Sequence, residues 1–134
     1  MTPVLAALRE YQLSLGAPQP PAGSFDRAAA ERGRNVFNGK GRCSSCHTGS
    51  NFTDADRGIL HRPEETGVDP VLASRSTTGR YRTTPLRGAW QHPPYFHDGS
   101  AATLDDVVAH YDQYLGLRLT EAERRQLVEY LKSL

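Results

Sequence analysis

The chain has 134 residues, a formal charge of +1 and a hydrophobic fraction of 37%, enough for one domain with a modest core. So small a net charge argues against binding to nucleic acid or to an anionic membrane surface. No apolar run approaches the roughly 18 residues that a membrane-spanning helix needs. Nine prolines and twelve glycines indicate that much of the length is loop. Because the hydrophobic fraction is also low, we expect a group other than side chains to help fill the interior.

The first predicted element is a short helix over residues 2–15, with Thr2 as N-cap and Pro3 in the first turn. It lacks the basic start and uninterrupted apolar core of a secretory signal peptide. For a protein that works outside the cytoplasm, the signal would have been removed or would lie upstream. The proline-rich stretch GAPQPPAG ends the helix, which divides the chain into a helix with linker, residues 1–23, and a domain, residues 24–134.

A second helix is predicted over residues 25–37, with Ser24 as its cap. From residue 48 to residue 91 neither a period of 2 nor one of 3.6 persists, and turn-forming residue types dominate. We therefore predict a long loop there, which a small domain accommodates only if the loop wraps something bulky.

Two more helices are predicted in the last third, each opened by a capping box. One begins at Thr103, with Asp106 as its acidic partner, and ends near Leu115. The other begins at Thr120, paired with Glu123, and continues to the end of the sequence. Its apolar residues share one face at helical spacing: Leu127, Tyr130, Leu131 and Leu134. The predicted fold class is all-α with a long wrapping loop.

Both cysteines of the chain fall in one short segment, Cys43-Ser44-Ser45-Cys46-His47. A redox-active dithiol usually follows a strand and opens a helix, whereas glycines precede this segment and no βαβ pattern exists. A structural zinc site needs two further nitrogen or sulfur ligands, and the other histidines provide no finger-like pair.

The third alternative is covalent haem, because C-x-x-C-H is the attachment sequence of haem c. On a helical turn the thiols of Cys43 and Cys46 reach the two vinyl groups at one edge of the porphyrin, and His47 binds the iron from below. We therefore predict one covalent haem c. It would supply the missing apolar bulk and give the long loop something to wrap.

The surroundings of this segment resemble the c-type cytochrome fold. Gly33 and Phe37 stand one helical turn apart shortly before Cys43, and the last helix carries Tyr130 and Leu131. In the fold that these residues resemble, a glycine on the first core helix lets the last helix cross closely, since it has no Cβ.

A second resemblance is to the haem domain of bacterial dihaem cytochrome c peroxidases and the related MauG-type enzymes. Their motif T-P-x-L-R is matched, with a shift of one residue, by TPLR at residues 84–87. P-Y-x-H-D-G is matched at residues 94–99, and T-L-x-x-V-V at residues 103–108. The resemblance covers about residues 25–134, while the segment 1–23 resembles the connector between the two haem domains of that family.

The sixth iron ligand is left open by the sequence. The only methionine is Met1, so methionine ligation is excluded. By the resemblance, Tyr111 takes the place of the ligating tyrosine of MauG-type enzymes, and helical spacing puts it on the same face as Val108. Core packing of Tyr111 with its hydroxyl hydrogen-bonded is the alternative. A histidine or an open position remains as well: the histidines are His61, His92, His97 and His110.

Two of these histidines carry separate expectations. His97 lies inside a family motif and is expected to be structural, and His61 lies in the loop and is expected to face solvent. His110 points away from the face that carries Tyr111.

Several residues between the motifs are predicted to hold the haem. A guanidinium binds a carboxylate in bidentate fashion, so arginines are candidates for the propionates, and tryptophan and tyrosine each offer one donor. Arg87 is favoured because it lies inside the family motif. The other candidates are Arg82, Trp90 and Tyr81 for the propionates, and Pro85 and Leu86 for packing near the ring.

These observations predict a monohaem electron carrier of the periplasm or the extracellular space. Its partner would be a redox protein or a second haem domain of a longer parent chain. The alternatives are a peroxidase or MauG-like oxidase domain and a haem-based sensor of small ligands. The single C-x-x-C-H argues against the enzyme, because the resembling enzymes pair two haems.

Overall fold

The computed structural model describes residues 3–134, so the predicted cap Thr2 lies outside it. The first helix, α1, spans Pro3–Ser14 and is followed by the proline-rich linker. Its side chains at Val4, Leu8 and Tyr11 are exposed. No helix within residues 3–134 has the length and apolar character needed to cross a membrane.

The three long helices of the domain confirm the predicted elements. Helix α2 spans Arg27–Asn38, α5 spans Leu104–Tyr114 and α6 spans Glu121–Lys132. The caps of α5 and α6 are Thr103 and Thr120, each with the full capping box.

The cap of α2 differs from the prediction. Asp26, not Ser24, precedes the helix, and its carboxylate accepts a hydrogen bond from the amide of Ala29 at 2.9 Å. The backbone amide of Asp26 donates to Glu129 of α6 at 2.6 Å. This long-range contact fixes where the helix begins, and Ser24 instead donates to the carbonyl of Pro21.

The core is organised by the crossing of α2 and α6 at Gly33. A Cβ on Gly33 would overlap the backbone carbonyl of Gln126 and lie 2.9 Å from Cβ of Tyr130. The crossing predicted from the sequence is therefore confirmed. One turn further on, Phe37 is 1% exposed, and its ring meets the edge of Tyr130 at 5.2 Å.

The segment predicted as one long loop contains short elements. Helices α3 and α4 span Pro63–Thr66 and Val71–Ser74. The strands β1, Leu60–His61, and β2, Tyr81–Arg82, pair antiparallel. Single 3-10 turns lie at Cys43–Ser45, Ala55–Arg57 and Ala89–Gln91.

These elements are too short for a periodic pattern, and contacts from distant segments hold them in place. The guanidinium of Arg80 donates to the carbonyl of Leu60 at 3.2 Å. The hydroxyl of Tyr114 on α5 donates to the carbonyl of Glu64 at 2.6 Å. The fold is mostly helical, as predicted, with a wrapping segment that is more ordered than expected.

Candidate haem site

The two cysteines and His47 lie on one tight turn that follows α2. The amides of Cys46 and His47 donate to the carbonyl of Cys43 at 3.3 and 3.0 Å. Arg42 enters the turn in the left-handed region, with φ 56°. Both cysteines are free thiols, and the turn presents them together with the imidazole.

The thiol of Cys43 has the wrong acidity for a redox-active dithiol. Burial raises the pKa of Cys43 to about 11, so the group is protonated at neutral pH. A reactive dithiol depends on a lowered thiol pKa, because the thiolate is the nucleophile. The turn is therefore better suited to carrying a bound group than to disulfide exchange.

His47 is held in the form that binds a metal. Its Nδ1 lies 2.9 Å from the carbonyl of Phe52, and a carbonyl only accepts, so Nδ1 carries the proton and Nε2 keeps its lone pair. Burial lowers the pKa of His47, although the carbonyl of Phe52 acts in the opposite direction. The ring is thus neutral at neutral pH, as metal ligation requires.

Tyr111 lies close to the two cysteines, on the face of α5 that the sequence predicts. Burial raises the pKa of Tyr111 to about 12, and its proximity to Cys43 and Cys46 adds to the effect. Within residues 3–134 its hydroxyl has no hydrogen-bond partner. The ring packs edge-on against Phe96 with centroids 5.8 Å apart. The phenol is therefore available to a group bound at the turn.

The indole of Trp90 provides a test of whether haem fits this site. Trp90 packs against the core together with Cys43, Phe52 and Leu86. Its Nε1 is buried, and no described residue accepts its hydrogen bond. Because buried donors are almost always paired, an acceptor is missing here. A haem propionate has the matching chemistry, so the residues present fit the group.

The other residues predicted to hold the haem differ in their exposure and in the contacts that they already make. Arg87 is exposed, its Nε donates to the carbonyl of Ser50 at 2.5 Å, and its guanidinium lies 5.6 Å from the ring centroid of Phe52. Arg82 is exposed on β2, and Pro85, predicted to pack near the ring and not to bind a propionate, is half-buried.

The prediction for Tyr81 is wrong. Its hydroxyl donates to the carbonyl of Asp69 at 2.9 Å and accepts from the amide of Ala73 at 2.8 Å. With its single O–H already donated, the hydroxyl has no proton left for a propionate.

The histidines other than His47 are tied to the wrapping segment. His110 bonds the carbonyl of Thr66 at 2.8 Å, while His92 is exposed. His97 bonds the carbonyl of Asp69 at 2.9 Å and stacks on Tyr81 at 4.0 Å, a structural arrangement.

The expectation that His61 faces solvent is wrong, because its side chain is only 17% exposed and sits between two carboxylates, those of Asp54 and Glu65. One ligand atom each of Cys46, Asp54 and His61 lie within 4.8 Å of one another. Sequence reasoning missed Asp54, which is one of several acidic residues in a polar stretch and has no motif around it.

A helical domain with a C-x-x-C-H turn beside two crossing helices defines the class of haem-binding cytochrome domains. The chain belongs to the cytochrome c family, since its residues 30–134 match the model of that family, described as Cytochrome c. A haem c is what such a domain implies.

Two relatives of known name match nearly the whole chain. The cytochrome-c peroxidase IdrP1 of Denitromonas iodatirespirans is 30% identical over 190 residues, covering 100% of this chain and 50% of its own length. The methylamine utilization protein MauG of Methylorubrum extorquens is 32% identical over 157 residues, covering 98% and 43%. The chain therefore spans about half the length of these relatives.

Solved structures give the same fold. A MauG-like protein associated with microbial copper homeostasis superposes with a TM-score of 0.63 at 22% identity, covering 84% of this chain and 48% of its own. The hydrazine synthase of Kuenenia stuttgartiensis superposes with a TM-score of 0.64 at 25% identity, covering 100% and 56%. The predicted resemblance to peroxidase and MauG-type haem domains is confirmed.

Proposed function

We propose that the chain holds one covalent haem c and passes single electrons between redox partners. Cys43 and Cys46 would form the thioether bonds and His47 would be the proximal iron ligand. The observation that supports this most directly is the turn itself, which combines a neutral imidazole, oriented by the carbonyl of Phe52, with two free cysteines. When bound, haem supplies a one-electron Fe(III)/Fe(II) couple.

The side chains around the turn have separate tasks in this proposal. The N–H at Nδ1 of His47 fixes the ring and makes Nε2 a better donor. Phe37 and Phe52 contact each other edge-on at 6.0 Å and exclude water on this side. The indole N–H of Trp90 and the guanidiniums of Arg87 and Arg82 would bind the propionates, and Pro85 would pack near the ring.

We propose that Tyr111 would be the second protein ligand of the iron, besides His47. Its hydroxyl lacks a described partner, and its pKa is raised by burial near the cysteines. With iron bound, the pKa of Tyr111 would instead be lowered, because a metal stabilises the anionic form of its ligand. A phenolate is a hard anionic donor, so it favours Fe(III) and lowers the reduction potential.

The variant Tyr111→Phe is expected to change the ferric absorption spectrum and to raise the reduction potential by on the order of 0.1 V, a modest part of the range that axial ligands set. The measurements are ferric spectra and redox titration of the haem-loaded protein. Tyr11→Phe is the matched control, since Tyr11 is an exposed tyrosine of α1, and it should change neither quantity. A ferric spectrum unaltered in Tyr111→Phe would refute the ligation.

A second candidate function, peroxide reduction, is favoured by the names of the relatives, which include cytochrome-c peroxidases. For the carrier, we expect hydrogen peroxide to leave the ferric spectrum unchanged and carbon monoxide to leave the ferrous spectrum unchanged, because His47 and Tyr111 would both be bound to the iron. Rapid turnover of a peroxidase dye would instead support the enzyme. Carbon monoxide binding without turnover would support a sensor of small ligands.

The partner and location are also proposals. Because the chain spans only about half the length of these relatives, we propose that the domain exchanges electrons with a second haem domain of a longer polypeptide or with a separate redox protein. The protein would work in the periplasm or the extracellular space, where haem c proteins are matured.

A further inference from the structure

His61 bridges two carboxylates through both of its ring nitrogens. Its Nε2 lies 2.9 Å from Oδ2 of Asp54, and its Nδ1 lies 2.9 Å from Oε2 of Glu65. A neutral imidazole has only one N–H, and ionised carboxylates only accept, so both bonds form together only when the ring is an imidazolium. Burial disfavours the charged ring, but the two carboxylates outweigh it and raise the pKa of His61.

Asp54 is held by two neighbouring side chains: burial raises its pKa, but Thr83 and His61 together lower it. The side chain of Asp54 is 2% exposed, and its Oδ1 has no hydrogen-bond partner within residues 3–134. Glu65 is half-exposed and has Arg80 4.0 Å away. The remaining titratable neighbours are Cys46, whose sulfur belongs to the same cluster, and His47, whose pKa the charge of His61 lowers.

The far side of α3 is attached to α5. The Nε2 of His110 bonds the carbonyl of Thr66 at 2.8 Å, and the hydroxyl of Tyr114 donates to the carbonyl of Glu64 at 2.6 Å. Gly67 follows α3 with φ +73°, and a Cβ there would lie 2.5 Å from Cγ of Tyr114. We call α3 together with Gly67 the strap. It is in close contact with His110 and Tyr114, which come one position before and three positions after Tyr111 on α5.

The strap thus joins the two sides of the site. At one end the imidazolium ties it to Asp54, in the loop that continues from the His47 turn. At the other end His110 and Tyr114 tie it to the helix that carries Tyr111. Phe96 packs against this part of α5, with its ring centroid 4.8 Å from that of His110 and 5.8 Å from that of Tyr111.

We propose that protonated His61 is a positioning residue that locks the strap against α5 and thereby holds Tyr111 in place beside the cysteine turn. This inference rests on the proposed function, because it takes Tyr111 to face a bound haem. Without the bridge, the strap separates from the Asp54 loop, α5 loses its outer support and the contact between Tyr111 and the haem weakens.

The first test compares His61→Ala with the control His92→Ala, which removes an exposed histidine. In the haem-loaded protein, His61→Ala is expected to speed hydrogen exchange at least tenfold at two strap amides, those of Glu65 and Gly67, which are bonded to the carbonyls of Arg62 and Pro63. The ferric absorption spectrum of His61→Ala should also match that of Tyr111→Phe. His92→Ala should do neither.

The second test varies the pH and does not depend on whether His61→Ala folds. The bridge needs a protonated His61 and ionised Asp54 and Glu65, so it stabilises the strap above the lowered pKa values of the two carboxylates and is lost as pH rises through the raised pKa of His61. Glu65→Gln removes one carboxylate, at a half-exposed position. The spectral change should therefore occur at lower pH than in the unchanged protein.

The proposal is overturned if exchange in the strap and the ferric spectrum are the same in Glu65→Gln, or in folded His61→Ala, as in the unchanged protein at every pH. It is equally overturned if the strap loosens while the spectrum stays fixed and Tyr111→Phe does alter it. Should Tyr111→Phe leave the spectrum unaltered, the sixth-ligand proposal fails instead. Exchange at the amide of Leu115, bonded to the carbonyl of Tyr111, then decides whether His61 supports α5.

Discussion

The variant Gly33→Ala is expected to destabilise the domain by at least about 3 kcal/mol, at the upper end of overpacking costs. The new Cβ overlaps the carbonyl oxygen of Gln126 and lies 2.5 Å from its carbonyl carbon. These are backbone atoms, so no change of rotamer relieves the overlap. Helices α2 and α6 must separate, and the contact between Phe37 and Tyr130 is lost.

The sign of this effect separates tertiary packing from local propensity. In an isolated helix alanine is favoured over glycine by about 1 kcal/mol, so local effects alone predict a more stable variant. The free energy of unfolding of the haem-loaded protein, from denaturant titration, decides between them. Arg32→Ala, at an exposed neighbouring position of α2, is the control. Its free energy of unfolding should stay within about 0.5 kcal/mol of that of the unchanged protein. Equal or higher stability in Gly33→Ala would contradict the close crossing.

The double variant Cys43→Ala/Cys46→Ala is expected to carry no covalent haem and to lose cooperative unfolding. Only about a third of the residues are hydrophobic, and the indole of Trp90 is left without an acceptor. Both features are expected of a core that a haem completes. Mass spectrometry of intact protein produced in a host that matures haem c, with far-UV circular dichroism, measures the two effects.

The control for the double variant is Ser44→Ala, which changes the same turn but neither thiol. Its mass should exceed that of the polypeptide by one haem, and its unfolding transition should match that of the unchanged protein. A single variant, Cys46→Ala, should retain one thioether bond to Cys43 and an intermediate stability. A colourless, helical and stable double variant would count against the packing role of the haem.

The helices that can be predicted from the sequence are those with strong local signals. The capping boxes at Thr103 and Thr120 define where α5 and α6 begin to within a residue. The start of α2 is missed because Ser24 and Asp26 are both good caps, two positions apart. The choice depends on Glu129, which is 103 positions away in sequence.

The elements of the middle segment cannot be recovered in this way. Helix α3 has four residues, too few for an amphipathic period, and it is held by Tyr114 and His110 of α5. The pairing of β1 with β2 covers two residues on each strand. These elements exist because side chains from elsewhere in the fold bond their backbone.

The site shows the same division. The C-x-x-C-H motif predicts Cys43, Cys46 and His47 as the haem-binding residues, because all three lie within five positions. The face of Tyr111 follows from helical geometry. The two mistakes, His61 and Tyr81, are residues whose partners lie on other segments, so local sequence carries no sign of their bonds.

The crossing at Gly33 also determines when the domain can assemble during synthesis. Gly33 and Gln126 are 93 positions apart, a separation that makes their contact a slow, non-local one to form. Helix α2 and the cysteine turn leave the ribosome long before α6 does. Until α6 docks at Gly33, Phe37 lacks its contact with Tyr130, so the cysteine turn follows a helix that has not yet gained its main packing partner.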